Sequence, residues 1–93
     1  MTEQEILCMA LDTYGSEAQT LMVMEEMAEL QKELCKHARG KDNIHSIAEE
    51  IADVQIMLEQ MILLHGCREV VHTYREMKVQ RLRKRLEGVT ADA

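Results

Sequence analysis

No proline interrupts the chain, and its four glycines stand at 15, 40, 66 and 88, so the sequence can run as helix between a few fixed breaks. Abundant Glu, Leu, Met, Ala, Lys and Arg, with two aromatics (Tyr14 and Tyr74), favour helices over strands. The chain reads as all-α. Thr2-x-x-Glu5 is a capping-box pattern, and Leu7, Leu11 and Tyr14 give a first helix over 3–14 one face before Gly15 stops it. Ser16-x-x-Gln19 repeats the pattern and opens a second helix, about 17–37. Ala38 to Asp42 is the one loop-like stretch in the middle, and Asp42 or Asn43 can cap a third helix over 43–65 that ends at Gly66. A fourth helix over 68–87 follows, with 88–93 expected to fray. No linker divides the chain, so residues 1–93 form a single domain.

A chain of 93 residues buries a modest share of its surface alone, and a homo-oligomer is the default expectation. Charge is uneven. Residues 1–74 hold five Lys/Arg against fourteen Asp/Glu, a net of −9, whereas residues 75–93 hold six against three, a net of +3. An acidic body argues against nucleic acid as a partner, and joined to a basic helix it suits a metal ion held beside an anionic ligand. Cys8, Cys35 and Cys67 lack any C-x-x-C spacing and read as free thiols in a reducing cytoplasm. The longest apolar run, Met61 to Leu64, is too short to cross a membrane.

Two pairs of acids share one three-residue step, Glu26/Glu29 and Glu50/Asp53, inside segments that otherwise read as apolar helix. Ile47, Glu50, Val54, Met57, Met61 and Leu64 follow one another at alternating three- and four-residue steps, the spacing of a buried seam, and Glu50 breaks it. Val23, Glu26, Leu30 and Glu33 keep the same rhythm on the second helix. A buried stripe does not hold carboxylates unless something neutralises them. If the two helices pack as an antiparallel hairpin, four carboxylates converge, and a hard divalent cation such as Mg²⁺ or Mn²⁺ resolves their repulsion. The plain alternative is a solvated face on which Glu25, Glu26, Glu29 and Glu33 pair with Lys32 and Lys36.

Glu25-Glu26-Met27-Ala28-Glu29, twenty intervening residues, then Glu50-Ile51-Ala52-Asp53 resembles the E-E-x-x-E and E-x-x-D signature of the MazG-like all-α nucleoside triphosphate pyrophosphohydrolases. The resemblance spans about Ser16 to Leu86 and includes the apolar context around both motifs. It implies a four-helix antiparallel bundle completed by oligomerisation as a homodimer or homotetramer. It implies Mg²⁺ on Glu26, Glu29, Glu50 and Asp53, and cleavage of a nucleoside triphosphate to the monophosphate and pyrophosphate, as in nucleotide-pool cleaning. It also points to Lys78 and Arg81, one face of the basic fourth helix, for the phosphates. Basic residues near a helix C-terminus also complement its dipole. Glu25, then Glu33, are the candidates to position the attacking water. With no Trp or Phe, the base would stack on Tyr14, Tyr74, His37 or His45.

Two other classes bear on the same residues. Di-iron bundles need two Glu-x-x-His motifs, and only Glu69 to His72 has that form. A catalytically silent helical module, kept for dimerisation or for binding another protein, would be expected to lose one of the four acids, and all four are present.

Overall fold

A computed structural model describes residues 1–92, the side chains of 90–92 excepted, as four helices: α1 (Glu3–Tyr14), α2 (Ser16–Ala38), α3 (Ile44–His65) and α4 (Arg68–Asp92). The all-α expectation holds. Thr2 caps α1 as its capping box requires, its Oγ1 accepting from Glu5 N at 3.1 Å. Gly15 then serves both sides of the first corner: its N–H donates to Leu11 O at 2.9 Å, and its carbonyl accepts from Gln19 N at 3.1 Å. It does so at φ 92°, ψ 152°, a conformation essentially confined to glycine.

That geometry displaces the expected cap. Ser16 is already the first residue of α2, no side chain caps this helix, and Gln19, expected to close a capping box, sends its amide across to α3. The N-cap of α3 is Asn43, but its side chain likewise leaves its own helix, for Glu33. Gly66 ends α3 in the left-handed conformation, φ 59°, as its place after a periodic run foretold.

α2 and α3 form an antiparallel hairpin. Gln19 meets Gln60, Glu26 meets Asp53 and Glu33 meets Asn43, so position rises on one helix as it falls on the other. The seam deduced from spacing faces inward: Val23, Ile47 and Met57 are buried, while Leu30, Val54, Met61 and Leu64 are half-buried. α1 lies against both helices of the hairpin and adds buried Leu7.

α4 stands apart. It touches α3 alone, through the corner where Arg68 pairs with Glu59, and none of its described side chains is fully buried. Within one chain the packed body is therefore three helices, with the fourth beside it. α4 also runs past the expected end at Glu87: Gly88 costs a helix about 1 kcal/mol, but no proline or capping residue follows to stop it. Ala93, the last residue of the tail expected to fray, lies outside the described residues. The radius of gyration is 17.1 Å, against about 12 Å for a compact chain of this length. Among the described residues no helix is long and apolar enough to cross a membrane.

Candidate metal centre and adjoining groove

Helical spacing carries Glu26 to the inner edge of α2, and Glu50 and Asp53 to the facing turn of α3. One oxygen from each of the three lies within 4.8 Å of the other two. All three residues are half-buried. The Glu26 and Asp53 carboxyls are close enough to hydrogen-bond. Glu50 Oε2 is buried with no hydrogen-bond partner. A buried acceptor without a donor is costly, and a native chain rarely keeps one without a use for it.

The electrostatics follow from the crowding. Desolvation raises the Glu26 carboxyl above its ordinary value, and the charges of Asp53, Glu29 and Glu25 push it further. Glu50 is raised in the same way, by desolvation first and then by Asp53, Glu26, Glu29 and Glu49. No lysine or arginine enters either balance. The three acids thus form an all-oxygen donor set, which fits a hard divalent ion better than a soft one. Among the described residues no histidine or cysteine joins the group.

The fourth acid expected at the metal, Glu29, sits outside this group. It is exposed and its Oε2 is 4.0 Å from Lys32 Nζ, while its charge still reaches Glu26 and Glu50. Glu25 is exposed next to Glu26 and contributes to the same field. Glu33 is engaged elsewhere: Oε2 accepts from Asn43 Nδ2 at 2.7 Å and Oε1 lies 3.4 Å from Lys36 Nζ. Asn43 above all holds its carboxyl below the ordinary value. Lys78 and Arg81 are exposed on α4, which makes no contact with α2, so a single chain does not bring them beside Glu26. His72 of the lone Glu-x-x-His motif is also on α4, its Nε2 3.1 Å from Glu76.

Beside the acids runs a groove of about 530 Å³, within the usual range of small-molecule sites. Glu26 and Asp53 line one part of it, Met22, Ile56 and Met57 give apolar walls, and exposed Tyr14 borders it. Of the four stacking candidates Tyr14 lines this groove, while Tyr74, His37 and His45 do not. Gln19 and Gln60 also line it, 6% and 3% exposed, joined by a hydrogen bond of 2.6 Å from Gln19 Nε2 to Gln60 Oε1.

Those glutamines and Asn43 are the polar residues that a search for acids passes over. The signal was the one that exposed Glu50. Gln19 precedes Val23 and Glu26 by the same four- and three-residue rhythm, and Asp53, Met57, Gln60 and Leu64 repeat it on α3, so both amides interrupt apolar seams. Comparison of the chain with family models, with curated proteins and with solved structures finds no match in any of the three.

Proposed function

We propose that the protein is a Mg²⁺-dependent nucleoside triphosphate pyrophosphohydrolase, releasing the monophosphate and pyrophosphate. The observation that carries this reading is the meeting of Glu26, Glu50 and Asp53 oxygens within 4.8 Å, with Glu50 Oε2 buried and unpartnered. Those three acids would hold the ion directly, and Glu29, one turn from Glu26, would act on it through its charge or a bridging water. When bound, Mg²⁺ or Mn²⁺ would neutralise the phosphate chain and stabilise charge on the leaving pyrophosphate. Glu25 is the residue to position the attacking water, since it faces solvent beside the cluster while Glu33 is tied to Asn43 and Lys36.

A second copy of the chain completes the site in this proposal. The accessible surface is 7473 Å², against about 5,500 Å² for a compact monomer of this mass. The difference is of the size that a permanent dimer interface removes. Exposed Met24, Met27, Ile51 and Leu58 on the hairpin and Met77, Val79 and Leu82 on α4 supply the apolar part. Charge supplies the fit: Lys78 and Arg81 of one copy would approach the acidic cluster of the other, where phosphates need cations. Such an assembly acting on free nucleotides belongs in the cytoplasm, in keeping with three free cysteines.

The deciding experiment incubates the protein with a panel of ribo- and deoxyribonucleoside triphosphates and Mg²⁺ and measures pyrophosphate against orthophosphate. Pyrophosphate is the expected product; orthophosphate alone overturns the chemistry. The large exposed apolar area also favours a second reading, a silent helical module that binds a partner through it. That module would release nothing from any nucleotide and its stability would not respond to Mg²⁺.

A further inference from the structure

We infer that the groove beside the acids seats a nucleobase, and that Gln19 and Gln60 read its hydrogen-bonding edge while tolerating either order of donor and acceptor. The inference deepens the nucleotide reading above and rests on it for the phosphate end of the ligand.

Two side-chain amides offer two carbonyl oxygens and two NH₂ groups, and the pair spends one of each on itself, Gln19 Nε2 donating to Gln60 Oε1. Gln19 Oε1 and Gln60 Nε2 make no hydrogen bond within the protein, although both residues are more than nine-tenths buried and line the groove. Neither atom is sealed from solvent as Glu50 Oε2 is, so an acceptor and a donor on two hydrogen-bonded amides remain open to an occupant of the groove. An amide-like edge, with a donor next to an acceptor, matches them both. Uracil presents such an edge at N3–H and O4, and cytosine presents the reverse order at N3 and its 4-amino group.

Position agrees with this occupant. Gln19 lies two helical turns before Glu26, about 10 Å along the axis, comparable with the distance from the phosphate chain of a nucleotide to the far edge of its base. Tyr14 at the border offers a ring face to a flat ligand, and Met22, Ile56 and Met57 line the way between amides and acids. The tolerance has its own cause. No further protein hydrogen bond pins either amide, so both can turn over together, which exchanges the free donor and the free acceptor while keeping the bond between them.

The experiment follows the glutamine side-chain amide resonances of the intact protein during titration with uridine, cytidine and 3-methyluridine, nucleosides without phosphate. Uridine and cytidine should shift the Gln60 and Gln19 signals with dissociation constants within about tenfold of each other. 3-Methyluridine, which lacks the N3 donor, should bind about tenfold or more weakly than uridine, the worth of one hydrogen bond. A Gln19→Met/Gln60→Met variant, which keeps the volume and removes both polar partners, should lose the distinction between uridine and its methyl analogue. Unmoved amide signals, or 3-methyluridine binding as well as uridine, would overturn the inference, and both are read on the unmodified protein. Pyrophosphate release from UTP and CTP is measured on the same sample. Release with unmoved amides sinks the base site alone, whereas shifted amides without release sink the hydrolase reading alone.

Discussion

Asn43 grips Glu33 twice across the hairpin, its Nδ2 reaching Glu33 Oε2 at 2.7 Å and the Glu33 carbonyl at 2.9 Å. Asn43 is 6% exposed and begins α3, so this clasp fixes where α3 starts against the last turns of α2. Glu33 thereby becomes a positioning residue of the hairpin instead of a group free to handle water. Asn43→Ala should destabilise the fold by about 1–3 kcal/mol, the cost of leaving buried polar groups unmatched. Glu33→Gln keeps an oxygen for the same donor and should lower turnover by less than about tenfold relative to Glu25→Gln. Thermal unfolding of both variants, beside pyrophosphate release, checks the assignment. A Glu33→Gln protein that melts like the parent but turns over nothing would return Glu33 to the chemistry.

Glu50 is the acid whose neutralisation should separate metal from fold most cleanly, because its Oε2 is buried without a donor and its neighbours are all anionic. In EDTA, Glu50→Gln should melt higher than the parent by several degrees, since about 1 kcal/mol moves a domain of this size by about 4–8 °C. Added Mg²⁺ should reverse the order. At a hundred times its dissociation constant the ion stabilises the parent by about 2.7 kcal/mol and the variant hardly at all. If the variant gains as much from Mg²⁺ as the parent, these three acids are not the centre.

Much of this arrangement is legible in the sequence, and what is not has physical causes. The hairpin seam is legible because apolar residues at alternating three- and four-residue steps have one way to be buried, which puts Glu26 and Glu50 on it and Asp53 one turn on. That these turns face one another depends on the antiparallel pairing of α2 and α3. Glu29 was not separable from them, because one helical turn is close enough to share a field yet rotates the side chain toward Lys32. Gln19 and Asn43 show the limit of capping signals. The same side chains that cap a helix serve tertiary contacts equally well, and the spacing does not say which use wins. The placement of α4 was illegible for a different reason. Its apolar residues are spread around the helix among seven lysines and arginines, so no single stripe says which surface covers it.

Acidification should first strengthen the metal-free protein. Glu26 and Glu50 have folded-state pKa values raised above their unfolded ones, so their contribution is complete below about 4.5 and is lost as pH climbs through the folded values. Glu33 has the opposite sign: its contribution is present above the unfolded value and is lost as pH falls through the lowered folded one. Melting in EDTA should therefore rise as pH is lowered from 7 toward 5, and fall once Glu33 protonates. The rise should shrink in Glu50→Gln. Saturating Mg²⁺ should invert the upper limb, because protons and the ion compete for the same oxygens. A parent protein whose melting in EDTA is level from pH 7 to 5 would contradict the crowding of these acids.

Lys78 and Arg81 test the assembly, because α4 touches α3 only and leaves both residues exposed, away from the acids of their own chain. If they serve phosphates, they do so on the partner's cluster, and two crippled chains should repair one another. A Lys78→Ala/Arg81→Ala chain supplies intact acids, and a Glu50→Gln chain supplies intact cations. Each alone should fall by about a hundredfold or more in kcat/KM, whereas a mixture unfolded and refolded together should regain pyrophosphate release, one intact site forming in each mixed pair. Val79→Glu/Leu82→Glu should remove both the pairing and the activity, since it places charge on an apolar interface, and sedimentation should then give the mass of one chain. Activity in a protein that sediments as a single chain, or a mixture no better than its parts, would put the cations of α4 outside the reaction. Since α4 runs on to Asp92, beyond the reach of its terminal dipole, they would then be a solvated charged face of that helix.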